Sequence, residues 1–131
     1  MCLILFALEA HPHYRLILAA NRDEFYARPT RSLHWWEEQH DVLGGKDLQA
    51  GGSWLGIRKN GRIAAVTNYR EANSNTYATS RGKLVQNYLH GDAAPAQFLQ
   101  SLATTAHTYA GFNLLVGDQH GLWYFNNRCN K

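Results

Sequence analysis

Two apolar runs open the chain, Leu3-Ile-Leu-Phe-Ala-Leu8 and Leu16-Ile-Leu-Ala-Ala20, and Glu9-Ala-His-Pro-His-Tyr-Arg15 lies between them. Short runs rich in branched residues around a proline-centred linker read as an antiparallel hairpin. Counting outward from Pro12 sets Cys2 opposite the Asn21-Arg22-Asp23 region. A thiol near the chain terminus is thereby placed beside a guanidinium and a carboxylate. That juxtaposition constrains the chemistry of the chain more than any other stretch does.

The next residues, 25 to 41, lack clear periodicity and carry the Trp35-Trp36 pair. They read as an ordered loop anchored by its indoles, because a solvated linker does not carry adjacent tryptophans. Val42-Leu43 is a short strand, followed by turn chemistry at Gly44-Gly45-Lys46-Asp47 and Gly51-Gly52-Ser53. No P-loop is present, since no earlier glycine has the spacing and no Ser or Thr follows Lys46. Asn60-Gly61, between Trp54–Ile57 and Ile63–Thr67, marks a second hairpin with a two-residue loop. Lys59 then pairs with Arg62, Ser53 faces Asn68, and Arg58, Lys59 and Arg62 crowd a solvated tip.

Ser80 reads as a helix N-cap before Leu84, Val85, Tyr88 and Leu89, with Gly91 past the end. Pro95 opens a second helix whose buried stripe is Phe98, Leu99 and Leu102. A last strand pair flanks Asp118-Gln-His-Gly121. Four strands, two helices and two strands in that order predict an α+β fold with helices packed on a sheet.

A chain of 131 residues, 45% of them hydrophobic, is one domain, residues 1–131, with a modest core. A net charge of +3, with no basic-aromatic stripe, leaves room for an anionic ligand but argues against nucleic acid. The apolar runs are far too short for a transmembrane segment, and no basic region precedes Leu3 as in a secretory signal. The expected location is cytoplasmic. Cys2 and Cys129 make no C-x-x-C pair, so neither a disulfide framework nor a metal site is expected.

Met1-Cys2, Asn21-Arg22-Asp23-Glu24-Phe25, Arg28-Pro29-Thr30, Gly45-Lys46-Asp47-Leu48, Gly52-Ser53-Trp54-Leu55-Gly56, Thr67-Asn68-Tyr69-Arg70, Ser80-Arg81-Gly82 and Gly111-Phe112-Asn113-Leu114 resemble, in this order, the NRDE-motif family, which includes the transport-and-Golgi-organisation proteins. Members of that family are longer, so the resemblance implies an incomplete αββα sandwich of the N-terminal-nucleophile-hydrolase kind, with only its N-terminal part in this chain. It further implies a role in haem handling or in acyl-lipid and coenzyme-A metabolism.

With Met1 removed, Cys2 would carry a thiol and a free α-amine, whose ordinary pKa of about 8 suits a base for the neighbouring thiol. Arg22 would favour the thiolate and Asp23 would orient the ammonium or the substrate amine. Cysteine nucleophiles of penicillin-acylase-like relatives of this fold also sit near an Arg and an Asp after the second strand. Asn68, at a strand end beside Gly51-Gly52, is the candidate oxyanion donor. Asn21, Glu24, Gly52, Trp54, Tyr69, Arg70 and Asn113 complete the expected substrate-binding set. The expected activity is hydrolysis of a small amide or related acyl substrate, with no cofactor required. The alternative is a non-catalytic carrier of haem or an acyl thioester, in which Cys2 or a loop histidine ligates haem iron; no C-x-x-C-H motif for covalent haem exists. An incomplete sandwich would also expose a sheet edge, through which a homodimer is expected to form.

Overall fold

A computed structural model describes residues 1–72 and 75–129. Strands β1 (Ile4–Leu8) and β2 (Leu16–Ala20) form a two-stranded antiparallel sheet. Its register, Ile4 opposite Ala20 and Leu8 opposite Leu16, is the one obtained by counting from Pro12. The other strands are β3 (Thr30–Trp35), β4 (Val42–Asp47), β5 (Leu55–Arg58), β6 (Ile63–Asn68), β7 (Phe112–Asp118) and β8 (Gly121–Asn126). They pair in chain order as a six-stranded antiparallel meander. Between β6 and β7 the chain forms α1 (Gly82–His90), α2 (Pro95–Thr105) and a 3-10 turn, Ala106–Thr108.

Strand alternation gives the large sheet two working faces. Ala64, Val66, Phe112, Leu114 and Val116 point to the helices and form the core with Leu84, Val85, Tyr88, Leu89, Leu99 and Leu102. Residues of the opposite phase meet the hairpin. Ile4 and Phe6 share a cavity with Thr67, Asn113 and Leu115, and Leu8 and Leu16 share another with Ile57, Ile63 and Leu122. The stacking is helices, six-stranded sheet, hairpin sheet. This is an α+β fold with a sheet-on-sheet sandwich; among the described residues it comprises three layers of the αββα order.

The structure corrects several expectations from the sequence. Part of the segment 25 to 41 is strand β3, which pairs with β4 across a register break between Arg31 and His34. An edge strand with a bulge and mostly exposed side chains carries no readable alternation. Gly44 and Gly45 lie inside β4, not in a turn. A Cβ at Gly45 would sit 2.4 Å from the Trp54 ring, and one at Gly44 3.3 Å from the Trp36 ring. These glycines give two tryptophans close approach to the strand. The second hairpin is one residue out of the expected register, with Ile57 opposite Ile63. Arg58 N–H donates to Arg62 O at 2.8 Å, leaving Lys59-Asn60-Gly61 as the loop, with Gly61 at φ +92°. The Asn60 side chain accepts from Arg62 N–H, and that local bond favours the longer loop. The residue paired across from Val66 is therefore Trp54, whose carbonyl accepts the Val66 N–H at 3.0 Å.

The hairpin tip is not solvated. Arg62 is buried, stacks on the Tyr88 ring at 3.9 Å, and donates to the carbonyls of Tyr88 and Ala93. Arg58 reaches Asp41, Asp92 and the carbonyls of Leu89 and Gly91. Two arginines thus satisfy the last carbonyls of α1, and Gly91 stays at φ −82° with no left-handed cap. The α1 N-terminus is also displaced from expectation: the helix starts at Gly82, whose N–H donates to the Ser80 hydroxyl at 3.3 Å.

Candidate functional site around Cys2

One side chain fixes the backbone on both sides of Cys2. The Asn21 carboxamide oxygen accepts Leu3 N–H at 2.7 Å, and its nitrogen donates to Met1 O at 3.1 Å. The chain then turns so that Asp23 N–H donates to Cys2 Sγ at 3.3 Å. The Asp23 carboxylate pairs with the Met1 ammonium. Removing Met1 would create the new ammonium one residue along, within about 3.8 Å of the old one.

Arg22 lies over the Trp54 ring, 4.1 Å from its centroid, a cation–π contact that holds the guanidinium at the wall of the cleft. Glu24 turns the other way. It accepts Phe25 N–H at 2.9 Å and faces Arg28 at 3.6 Å. Arg28 in turn donates twice to Asp47, the closer contact being 2.6 Å. Burial pulls the Asp47 carboxyl upward, but Arg28 and the Gln49 and Ala50 N–H groups outweigh it and hold the group below its ordinary value. Glu24 therefore belongs to an ion-paired brace beneath the cleft, although its side chain reaches the recess that Cys2 and Arg22 line.

Gly52 and Gly82 explain how α1 reaches the site. Gly52 has φ +96°, and a Cβ there would lie 2.5 Å from the Gly82 carbonyl carbon. Ser53 N–H donates to Gly82 O at 3.1 Å. Only glycines let the turn before β5 meet the first turn of α1 at this distance. The contact delivers Arg81, just before α1, into the cleft. Arg81 Nη1 donates to Gly111 O at 2.9 Å, and Gly111 O also accepts Tyr69 N–H. Gly111 N–H donates to Glu71, which Arg128 clamps through Nε at 2.8 Å.

Three cavities meet at Cys2. A recess of about 90 Å³ is bordered by Cys2, Arg22, Asp23, Trp54, Asn68 and Arg81. A vestibule of about 380 Å³ is bordered by Cys2, Asp23, Asn68, Tyr69, Arg70 and Arg81, among others. A slot of about 280 Å³ runs between hairpin and sheet past Leu3, Ile4, Phe6 and Leu115. Asn113 lies along the slot, and its amide is engaged by Thr67, Tyr124 and Asn126. Asn21 and Gly52 shape backbone; Cys2, Arg22, Asp23, Trp54, Asn68, Tyr69 and Arg70 border the cavities. Sequence reasoning assigned no role to Arg81. The signal for it was Gly82 beside it, a helix-start glycine that makes sense only for close approach. Among the described residues, no three His, Cys, Asp or Glu side chains converge as metal ligands do, and no helix is long and apolar enough to cross a membrane.

The whole described site lies within a match to the family model for Transport and Golgi organisation 2, which covers residues 1–131. The chain is 41% identical over 143 aligned positions to a Transport and Golgi organization protein 2 homolog of Bos taurus, covering 100% of this chain and 52% of that protein. It is 41% identical over 125 positions to the Homo sapiens homolog, covering 90% and 45%, and 38% identical over 98 positions to the Drosophila melanogaster protein of that name, covering 68% and 35%. It spans about half the length of the mammalian relatives it matches. The ordered motifs, the fold and these identities place the chain in the Transport and Golgi organisation 2 family.

Proposed function

We propose that this chain carries the nucleophilic half of an amidohydrolase that works from its own N-terminus, with Cys2 as nucleophile once Met1 is removed. The observation that carries this reading is the Asp23 N–H on the Cys2 sulfur, with the Asp23 carboxylate on the N-terminal ammonium. The α-amine of Cys2 takes the thiol proton, and sulfur attacks the amide carbonyl carbon, forming a C–S bond. Asn68 and the Asp23 N–H stabilise the oxyanion. The C–N bond then breaks and the amine leaves with the proton. Water adds to the thioester through the α-amine as base, a C–O bond forms, the C–S bond breaks, and the proton taken from that water goes to sulfur. Tyr69 and Arg70 contact the leaving portion in the vestibule.

Intact-mass measurement before and after a thiol-acylating probe at neutral pH tests this. Loss of Met1 and labelling of Cys2 at least tenfold faster than exposed Cys129 are expected; retained Met1, or equal labelling, overturns the reading. The slot beside the thiol favours a second reading, a non-catalytic carrier of an acyl or haem ligand in the cytoplasm. A Soret shift on adding haemin, lost in Cys2→Ala, would select it. The outer edges of the two-stranded sheet, unpaired among the described residues, also suit a homodimer.

A further inference from the structure

We propose that Arg81 is the anion receptor of this cleft and that the amide split at Cys2 joins an apolar acyl chain to a small amine bearing a carboxylate. The proposal rests on the Cys2 reading and adds the substrate class. Cys2 borders a vestibule containing Arg70 and Arg81 and, on its other side, a slot walled by Leu3, Ile4, Phe6 and Leu115. A bond cleaved at the thiol has one flank beside Arg70 and Arg81 and the other beside hydrocarbon; the two carboxylates that also border the vestibule, Asp23 and Glu71, are paired with the N-terminal ammonium and with Arg128.

Arg81 suits the polar flank better than Arg70, which borders the same vestibule but is exposed, whereas Arg81 is half-buried and held on Gly111 O. Arg22 lies on Trp54 and Arg128 is clamped on Glu71. Arg81 hydrogen-bonds a backbone carbonyl, and the salt bridges among the described residues do not include it. Burial pushes its guanidinium below the ordinary arginine value; Arg128 and Arg28 act in the same direction, while Glu71 and Cys2 oppose them. A half-buried charge at the cavity wall, already oriented by Gly111, is prepared for a planar anion.

Size decides the rest. A vestibule of about 380 Å³ is at the small end of ligand sites, so the leaving amine is amino-acid-sized. An engineered cavity of about 150 Å³ holds benzene. The slot is about 280 Å³ and accepts a chain of on the order of eight carbons.

Two measurements on the full chain test this, using N-octanoylglycine, octanamide and N-octanoyl-phosphoethanolamine. The first is calorimetric binding to Cys2→Ala, in which no turnover occurs. N-octanoylglycine should bind, roughly 10- to 100-fold weaker in the added presence of Arg81→Gln and only partly recovered with Arg81→Lys, which keeps the charge but not the planar fork. N-acetylglycine should bind at least about 100-fold more weakly than N-octanoylglycine. The second is hydrolysis by the processed Cys2 protein, where Arg81→Gln should lower the kcat/KM ratio of N-octanoylglycine to octanamide by a similar factor, mainly through KM. Binding that depends on Arg81 without hydrolysis keeps the receptor and removes the nucleophile reading. Hydrolysis with no preference for the anionic amide, or a ratio insensitive to Arg81, overturns the receptor and leaves the nucleophile. Tighter binding of the phosphate compound overturns the carboxylate assignment, equal affinity for the acetyl compound overturns the slot, and absence of both binding and hydrolysis overturns everything proposed for the cleft.

Discussion

Asn21 and Gly52 both act on the backbone, and the cleft depends on each. Asn21 uses both ends of its amide to hold the peptides flanking Cys2, so the thiol enters the site with its backbone already fixed. Gly52 combines a left-handed backbone with a contact that leaves no room for a side chain. Gly52→Ala is therefore expected to lower stability by about 2 kcal/mol or more, from strained φ and overpacking together; denaturant titration measures it, and a loss below about 0.5 kcal/mol would show that the turn and α1 separate easily. At this scale the sequence was legible where partners are set by hairpin counting, as for Cys2 and Asp23. It was not legible for Arg81, whose partner Gly111 lies thirty residues away across the helices. Nor was it legible for Arg58 and Arg62, since nothing local distinguishes a solvated arginine from one that caps a distant helix.

Elements in this fold are joined by cations as well as by apolar contact. The β5–β6 hairpin is tied to the end of α1 by Arg58 and Arg62. Beside that junction His90 packs edge-on against Trp36, with ring centroids 5.5 Å apart, and its Nε2 is buried with no partner among the described residues. Burial lowers the His90 value. Glu38 and Asp41 pull it up, and Lys46 and Arg58 push it further down. The folded value is thus below the unfolded value of about 6.5, so the unfolded chain binds the proton first. The stability His90 contributes is present above about pH 6.5 and is lost as the pH falls through its folded value. Melting of the wild type should drop on acidification from pH 7 to 5 more steeply than that of His90→Phe; parallel profiles would remove His90 from the acid response. Hairpins, helices and the Pro95 start were readable from periodicity. The strand β3 was not, because a bulged edge strand loses its alternation, and the β5–β6 register was not, because the Asn60 side chain lengthens the loop.

For the molecule as a whole, the expected α+β class held, while β3, not read from the sequence, and the longer β4 extend the anticipated sheet to a six-stranded meander. The hairpin covers one face of that meander and leaves its own outer face apolar: Leu5 is 60% and Ile17 46% exposed. With Ala7 and Ala19 on the same side, this is a larger uncovered patch than a scatter of single residues. An environment-sensitive dye should bind the folded chain, and Leu5→Thr with Ile17→Thr should at least halve its signal without unfolding the protein; unchanged signal would place the binding elsewhere. The relatives it matches are about twice as long, which is enough chain to cover such a face. Met1 has a consequence of its own. Met1 borders the vestibule, its ammonium occupies the Asp23 carboxylate, and its carbonyl occupies the Asn21 amide. On the reading proposed above, the newly made chain is a zymogen whose stopper is a single amino acid, and the protease that trims nascent chains becomes the switch that arms it.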